Sequence, residues 1–76
     1  MSIYTVRRIS NSEFVPMKGD RRTALTLDAV TYKAESMRAA VTEFLLTHPD
    51  QPDSRVVVRR GFMNALERSQ AAKERR

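Results

Sequence analysis

A helix of defined length, with start and stop signals at its two ends, most limits what this chain can fold into. Ser36 is a good N-cap residue, and the apolar residues after it recur with helical spacing, namely Met37, Ala40, Val41, Phe44 and Leu45. The sequence "THPDQPDS" then ends the helix, because Pro49 and Pro52 lack the N–H donor that a helix interior requires. We predict a helix from Met37 to about Thr47 that buries one apolar face.

The segments before this helix are typical of β-strands. Ile3–Ile9 is rich in β-branched residues and predicts a first strand, and the polar "SNSE" after it predicts a turn. The sequence "EFVPMK" predicts a short second strand, which Pro16 confines to a sheet edge because proline cannot donate to the ladder. "GDRR" predicts a further turn before a third strand from about Thr26 to Ala34.

Residues 26–34 also allow a second interpretation. A spacing of three and four connects Leu27, Val30 and Ala34 to the apolar face of the helix, so a long helix or coiled-coil seam could start near Asp28. The strand is favoured because apolar and polar residues alternate from Val30 to Ala34 among many β-branched residues.

The end of the chain predicts a fourth strand and a second helix. "RVVVR" is a strand whose consecutive valines need cover on both faces, which favours an interior position. A crossover through the main helix should return this strand parallel to the third one. "NALERSQAAKERR" consists of helix formers, with Asn64 and Glu67 spaced as a capping box. The predicted fold is α+β: a three- to four-stranded, mostly antiparallel sheet with one helix on a face and a C-terminal basic helix.

Size and charge narrow the function further. Seventy-six residues predict a single domain over 1–76, with a core small enough that a homodimer is an alternative way to bury more surface. A net charge of +5 favours nucleic acid or acidic proteins as partners. With no cysteine, no apolar run long enough to span a membrane and charge from Arg7 onward, the chain is expected to be cytoplasmic.

The residues that catalysis would require are scarce. His48 is the single histidine and is placed to end the main helix, while Gly19 and Gly61 stand alone without phosphate-loop spacing. The carboxylates are spread over turns and polar helix faces. We therefore predict a protein that is not an enzyme and that needs no cofactor and no metal.

Arginine is the functional feature that stands out. Eleven of the fourteen basic residues are Arg, a residue that makes planar, bidentate contacts with phosphate or carboxylate. Adjacent residues on a strand point to opposite faces, so an arginine doublet is expected at a strand end. If the first, third and fourth strands end on one side, the following residues converge there as a partner-binding basic rim: Arg7, Arg8, Lys33, Arg38, Arg59 and Arg60. Tyr4 and Tyr32 could offer a base-stacking platform on an open sheet face, although packing in the core or at a sheet edge is favoured for both.

The order of elements in "VTYKAESMRAAVTEFLLTHPDQPDSRVVVRR" resembles the strand, capped helix and strand of small phage-encoded inhibitors, some of the anti-CRISPR type among them. That resemblance is one of layout, and it implies a stoichiometric inhibitor of a host ribonucleoprotein complex, acting in the cytoplasm of the host cell. The composition is equally compatible with a DNA- or RNA-binding regulatory module, and a small self-assembling structural protein is a further alternative.

Overall fold

The computed structural model describes residues 1–19, 21–65 and 67–69. In chain order they form β1 (Ser2–Met17), β2 (Arg21–Ala34), α1 (Met37–Thr47) and β3 (Ser54–Arg60). The strands form one antiparallel sheet in the order β2-β1-β3, and α1 packs against one of its faces. The prediction of a small α+β domain with a mostly antiparallel sheet and one packed helix is therefore confirmed.

The core lies between α1 and the face of the sheet that carries Tyr4. Its buried members are Tyr4, Val6, Ala34, Ala40 and Phe44, and partly buried side chains of β2, β3 and α1 pack around them. Tyr4 is 4% exposed, and Tyr32 packs against the same cluster. Packing in the core or at a sheet edge, the interpretation favoured for both tyrosines, is confirmed.

The first strand is longer than the sequence predicted. "SNSE" is no turn and "EFVPMK" is no separate strand, because β1 continues through both to Met17. The side chain of Ser10 accepts hydrogen bonds from the backbone N–H groups of Ser12 (3.1 Å) and Glu13 (2.9 Å), and the pairing with β2 is irregular here. These bonds turn the polar segment into a bulge within a strand instead of a reversal of the chain. Pro16 lies opposite Arg22, beyond the part of β1 that pairs with β3, so it occupies a two-stranded part of the sheet in which β1 is an edge.

The prediction for the middle of the chain is confirmed in its main elements. β2 ends at Ala34, which excludes the long helix, although β2 begins at Arg21 and includes the arginines assigned to a turn. The helix has the predicted bounds, and the side chain of Ser36 accepts a 3.1 Å hydrogen bond from the backbone N–H of Ala39. Met37 differs from the prediction, since it is 47% exposed at the first position of the helix.

The position predicted for the valine strand is wrong. β3 pairs with β1 alone, so among the described residues it is an edge strand. Val56 and Val58 pack against the core under α1, whereas Val57 lies opposite Arg7 on the other face. The consecutive valines therefore indicate that both faces of β3 are partly covered, but they do not indicate an interior position in the sheet. β2 and β3 run in the same direction, as a crossover requires, with β1 between them.

The start of the predicted C-terminal helix is partly described. Asn64 and Glu67 form the predicted capping box: each backbone N–H donates a 2.9 Å hydrogen bond to the side chain of the other residue. Residues 65 and 67–69 are helical, but residues 70–76, which make up most of the predicted basic helix, lie outside the described residues. No helix in the described part of the chain is long and apolar enough to cross a membrane.

Candidate functional site

Arg8 occupies the middle of the central strand and is completely buried beside α1. Its Nη2 donates hydrogen bonds to the backbone carbonyl oxygens of His48 (2.8 Å) and Pro49 (3.0 Å). Its Nη1 donates to the hydroxyl of Ser54 at 3.1 Å. These bonds join β1, the end of α1 and the start of β3, so Arg8 holds the three elements together.

The electrostatic partners of Arg8 are mainly dipoles. Its nearest carboxylate oxygen, Oδ1 of Asp50, is 3.8 Å from Nη1 and belongs to a side chain that is 88% exposed. The backbone carbonyls at the C-terminus of α1 carry the negative end of the helix dipole and stabilise a cation placed there. The guanidinium carbon also lies 5.9 Å from the centroid of the Phe44 ring, within the range of a cation–π contact.

Arg7 and Arg59 lie on the opposite face of the sheet, where both contact Glu67. Nε of Arg7 is 2.9 Å from Oε2 of Glu67, and Arg59 donates a hydrogen bond from Nη2 to Oε1. The Arg7 contact is an ion pair without hydrogen-bond geometry, because its buried Nε–H has no hydrogen-bond acceptor among the described residues. Glu67 is 2% exposed, so two partly exposed arginines neutralise one buried carboxylate.

The pKa of Glu67 is set by opposing effects. Burial, the largest single effect, raises the pKa of this carboxyl group, but hydrogen bonds from Arg59 and from the backbone of Asn64, together with the charges of Arg7 and Arg59, lower it more. The net result is a pKa below the ordinary value of 4.5. Glu67 is therefore a carboxylate that the fold keeps ionised, and its role is to attach the C-terminal segment to the sheet.

The structure thus divides the six residues of the predicted basic rim. Arg7 and Arg8 do not end a strand, since β1 runs opposite to β2 and β3 and continues beyond them. The assumption that the first strand ends on the same side as the other two is wrong. Half of the set, Arg7, Arg8 and Arg59, is engaged by the chain itself.

The other half of the set is exposed, and we call Lys33, Arg38 and Arg60 the exposed rim cations. Lys33 lies opposite Ile3, and Arg60 lies opposite Tyr4 with its guanidinium carbon 5.9 Å from the Tyr4 ring centroid. Both therefore lie where β1 begins and its two neighbours end, while Arg38 is in the first turn of α1.

A second group of cations lies at the other end of the long strands, and sequence reasoning did not assign it to a site. The strands continue beyond the β3 pairing as a two-stranded ribbon, which we call the hairpin arm: residues 14–17 of β1, residues 21–24 of β2 and the described turn residues 18 and 19. Lys18, Arg21 and Arg22 of this arm are exposed. With Met17 and Thr23, they line an open concavity of about 360 Å³. The doublet Arg21-Arg22 lies here, within the sequence "GDRR" that was predicted to be a turn.

His48 and Gly61, which were considered for catalysis, both make contacts within the fold. His48 ends α1, stacks on Phe44 with ring centroids 4.5 Å apart, and has its Nδ1 2.9 Å from the hydroxyl of Thr47. Gly61 has φ = +111°, and its carbonyl accepts a 2.7 Å hydrogen bond from Thr5. Among the described residues, no three His, Asp or Glu side chains are grouped so that they could hold a metal ion.

Comparison of the chain with protein-family models, with curated proteins and with solved structures found no match.

Proposed function

We propose that this protein is a non-enzymatic binding protein that engages nucleic acid, or a partner containing nucleic acid or acidic side chains, through exposed arginine and lysine residues. One observation carries the proposal: the described ion pairs all use Arg7, Arg8 or Arg59. The exposed rim cations and the cations of the hairpin arm have no carboxylate within ion-pair distance among the described residues. These exposed cations are therefore available to a partner, which supports a binding role for the excess positive charge of the sequence.

The arginine content supports a phosphate-bearing partner. A surface that serves only solubility has no need for arginine, whereas guanidinium groups match phosphate oxygens in pairs. The small size of the chain suits a protein that acts by occupying a surface of its partner. Inhibition of a host ribonucleoprotein complex, which the resemblance in layout implies, is one biological form of this proposal, and direct regulation of DNA or RNA is the other.

The proposal is tested by fluorescence anisotropy with a labelled DNA duplex of about 24 base pairs, spanning roughly two turns of about 10.5 base pairs. The same-length single strand and poly-glutamate are titrated in parallel across a range of NaCl concentrations. We expect binding to the phosphate polymers, with log K falling by about 0.9 per log unit of salt for each duplex phosphate neutralised. Absence of binding to every one of these polyanions at low salt would overturn the proposal.

Self-assembly is a second candidate, supported by the sheet edges and the outer surface of α1. The outer edges of β2 and β3 have no partner strand among the described residues, and Leu46 is 77% exposed on the helix. An unpaired strand edge can add a strand from another copy. Sedimentation velocity, which measures the oligomeric state, tests this candidate.

A further inference from the structure

We propose that the hairpin arm enters a groove of double-stranded DNA, with Arg21 and Arg22 contacting the phosphates of the two opposite groove walls. This inference rests on the proposed function and specifies which surface makes the contact and which form of nucleic acid it fits.

The two faces of the arm follow from the strand register. Phe14 pairs with Ala24 and Pro16 with Arg22, so these four residues share one face of the ribbon. Val15 pairs with Thr23 and Met17 with Arg21, which places these four on the other face. The adjacent arginines therefore leave the ribbon on opposite faces, although both contribute to the concavity at its end, and Lys18 follows β1 in the turn.

Each face of the arm combines a cation with an exposed apolar side chain. Phe14 is 52% exposed, and the guanidinium carbon of Arg22 lies 5.9 Å from its ring centroid. Met17 is 41% exposed on the face of Arg21. A two-stranded ribbon has no core in which to bury apolar side chains. The exposed Phe14 and Met17 are therefore available for contact with a partner.

Both faces carry positive charge, which selects a groove over a flat surface. A flat acidic surface, whether a protein patch or a lipid headgroup layer, would meet one face of the ribbon and leave the other cation in water. A groove between two phosphate backbones would place phosphates next to both faces of the ribbon. The major groove of B-DNA is about 12 Å wide and admits a two-stranded β-ribbon. Phe14 and Met17 share the faces of the two arginines, so they would pack against the sugar–phosphate walls beside the phosphate contacts.

The test uses the full chain, a labelled duplex of about 24 base pairs and its single strand. The variants are Arg21→Glu and Arg22→Glu, each made singly, with Arg68→Glu as the matched control. Arg68 is an exposed arginine outside both the hairpin arm and the exposed rim cations, and its only described bond is made by its backbone N–H to Asn64. All three variants change the net charge by the same amount.

We expect each arm variant to weaken duplex binding at 0.1 M salt by about eightfold or more, the contribution of one phosphate contact at a slope of 0.9. Each should also reduce the salt slope by about 0.9, while Arg68→Glu changes affinity by less than about twofold. Phe14→Ala should weaken binding and leave the salt slope unchanged, because it removes an apolar contact and no charge. The loss on the single strand should be smaller than on the duplex.

Other outcomes overturn the inference in distinguishable ways. If one arm variant loses binding and the other binds like the control, the arm meets a flat surface and the groove is wrong. If both arm variants bind normally while Lys33→Glu with Arg60→Glu abolishes binding, the exposed rim cations carry the function and the arm does not. If the unaltered chain binds neither form of DNA but binds poly-glutamate, this inference fails and the broader proposal stands. Absence of binding to every polyanion removes both.

Discussion

Arg8 and His48, forty residues apart in the sequence, are joined by a 2.8 Å hydrogen bond from the guanidinium Nη2 to the backbone carbonyl at the end of α1. A completely buried arginine with exposed Asp50 as its only described ion-pair partner is stabilised chiefly by carbonyl dipoles and by the Phe44 ring. With the bonds to Pro49 and Ser54, this contact ties the end of α1 and the start of β3 to the central strand. Arg8 is therefore a residue of the fold, which sets it apart from the exposed cations proposed to bind a partner.

Replacement of Arg8 tests that assignment. Arg8→Ala leaves three carbonyl and hydroxyl acceptors without their donor in a buried site, so we expect a loss of about 3–5 kcal/mol in the free energy of unfolding. Arg8→Lys keeps the charge but cannot reach all three acceptors, and about half of that loss is expected. Urea unfolding followed by circular dichroism measures both. An Arg8→Ala variant as stable as the unaltered chain would show that the network contributes nothing.

The bounds of the helix and most of its buried face were predictable from the sequence, whereas the exposure of Met37 and the role of Arg8 were not. Ser36 and Pro49 mark the helix ends through their own chemistry, and the spacing of Ala40, Val41 and Phe44 identifies its buried face. The partners of Arg8 are backbone carbonyls, which carry no residue signature, and they arrive from a distant loop. An arginine in the middle of a strand is usually exposed, so the sequence alone favoured a surface role.

Sequence-based prediction also missed the bulge in β1 and the ion pairs of Glu67. Polar residues between two β-rich segments usually predict a turn, and only the bonds made by the Ser10 hydroxyl show that the strand continues. The capping box of Asn64 and Glu67 was visible as a spacing of three. That the same carboxylate also meets Arg7 and Arg59 depends on the sheet register, which brings two distant strands together.

The pH dependence of stability should report on Glu67. Its pKa is lower in the folded protein than the ordinary value of 4.5, so the stabilisation is present above about that pH. It is lost as the pH falls from there through the lower pKa of the folded state. Glu67→Gln should be less stable than the unaltered chain at neutral pH by about 2–3 kcal/mol. The difference between the two should shrink as the solution becomes acidic.

Glu43→Gln is the matched control, because Glu43 is exposed on α1 and makes no ion pair among the described residues. Urea unfolding at a series of pH values from neutral to strongly acidic gives both comparisons. A constant difference between Glu67→Gln and the unaltered chain across this range would contradict the assignment of Glu67 as an ionised anchor.

Two apolar residues of the helix, Phe44 and Leu46, should differ sharply in their contribution to stability. Phe44 is completely buried in the core and stacks on His48, whereas Leu46 is 77% exposed. Phe44→Ala should reduce the free energy of unfolding by about 3–5 kcal/mol, enough to unfold much of so small a domain. Leu46→Ala should change it by no more than about 0.5 kcal/mol in the isolated monomer.

Sedimentation velocity across a range of protein concentrations measures self-assembly. If the outer edges of β2 and β3 or the face around Leu46 join copies of the chain, the sedimentation coefficient should rise with concentration, and Leu46→Glu should return the helix-mediated form to monomer. A single monomeric species at micromolar concentrations would contradict the self-assembly candidate. Polyanion binding by that monomer would then support the binding function directly.

Arg59 and Arg60 are adjacent at the end of β3, and their substitution should separate stability from binding. Arg59 holds the buried carboxylate of Glu67, so Arg59→Glu places two carboxylates together and should cost about 2–3 kcal/mol of stability, less than a fully buried pair because Arg59 is 38% exposed. Arg60 is exposed over Tyr4 and makes no ion pair among the described residues. Arg60→Glu should therefore change stability by no more than about 0.5–1 kcal/mol, the range of an exposed cation–π contact. Circular dichroism melts measure the stability of both variants, and anisotropy titrations measure their binding. Equal melting temperatures for the two variants would show that the attachment of Glu67 does not depend on Arg59.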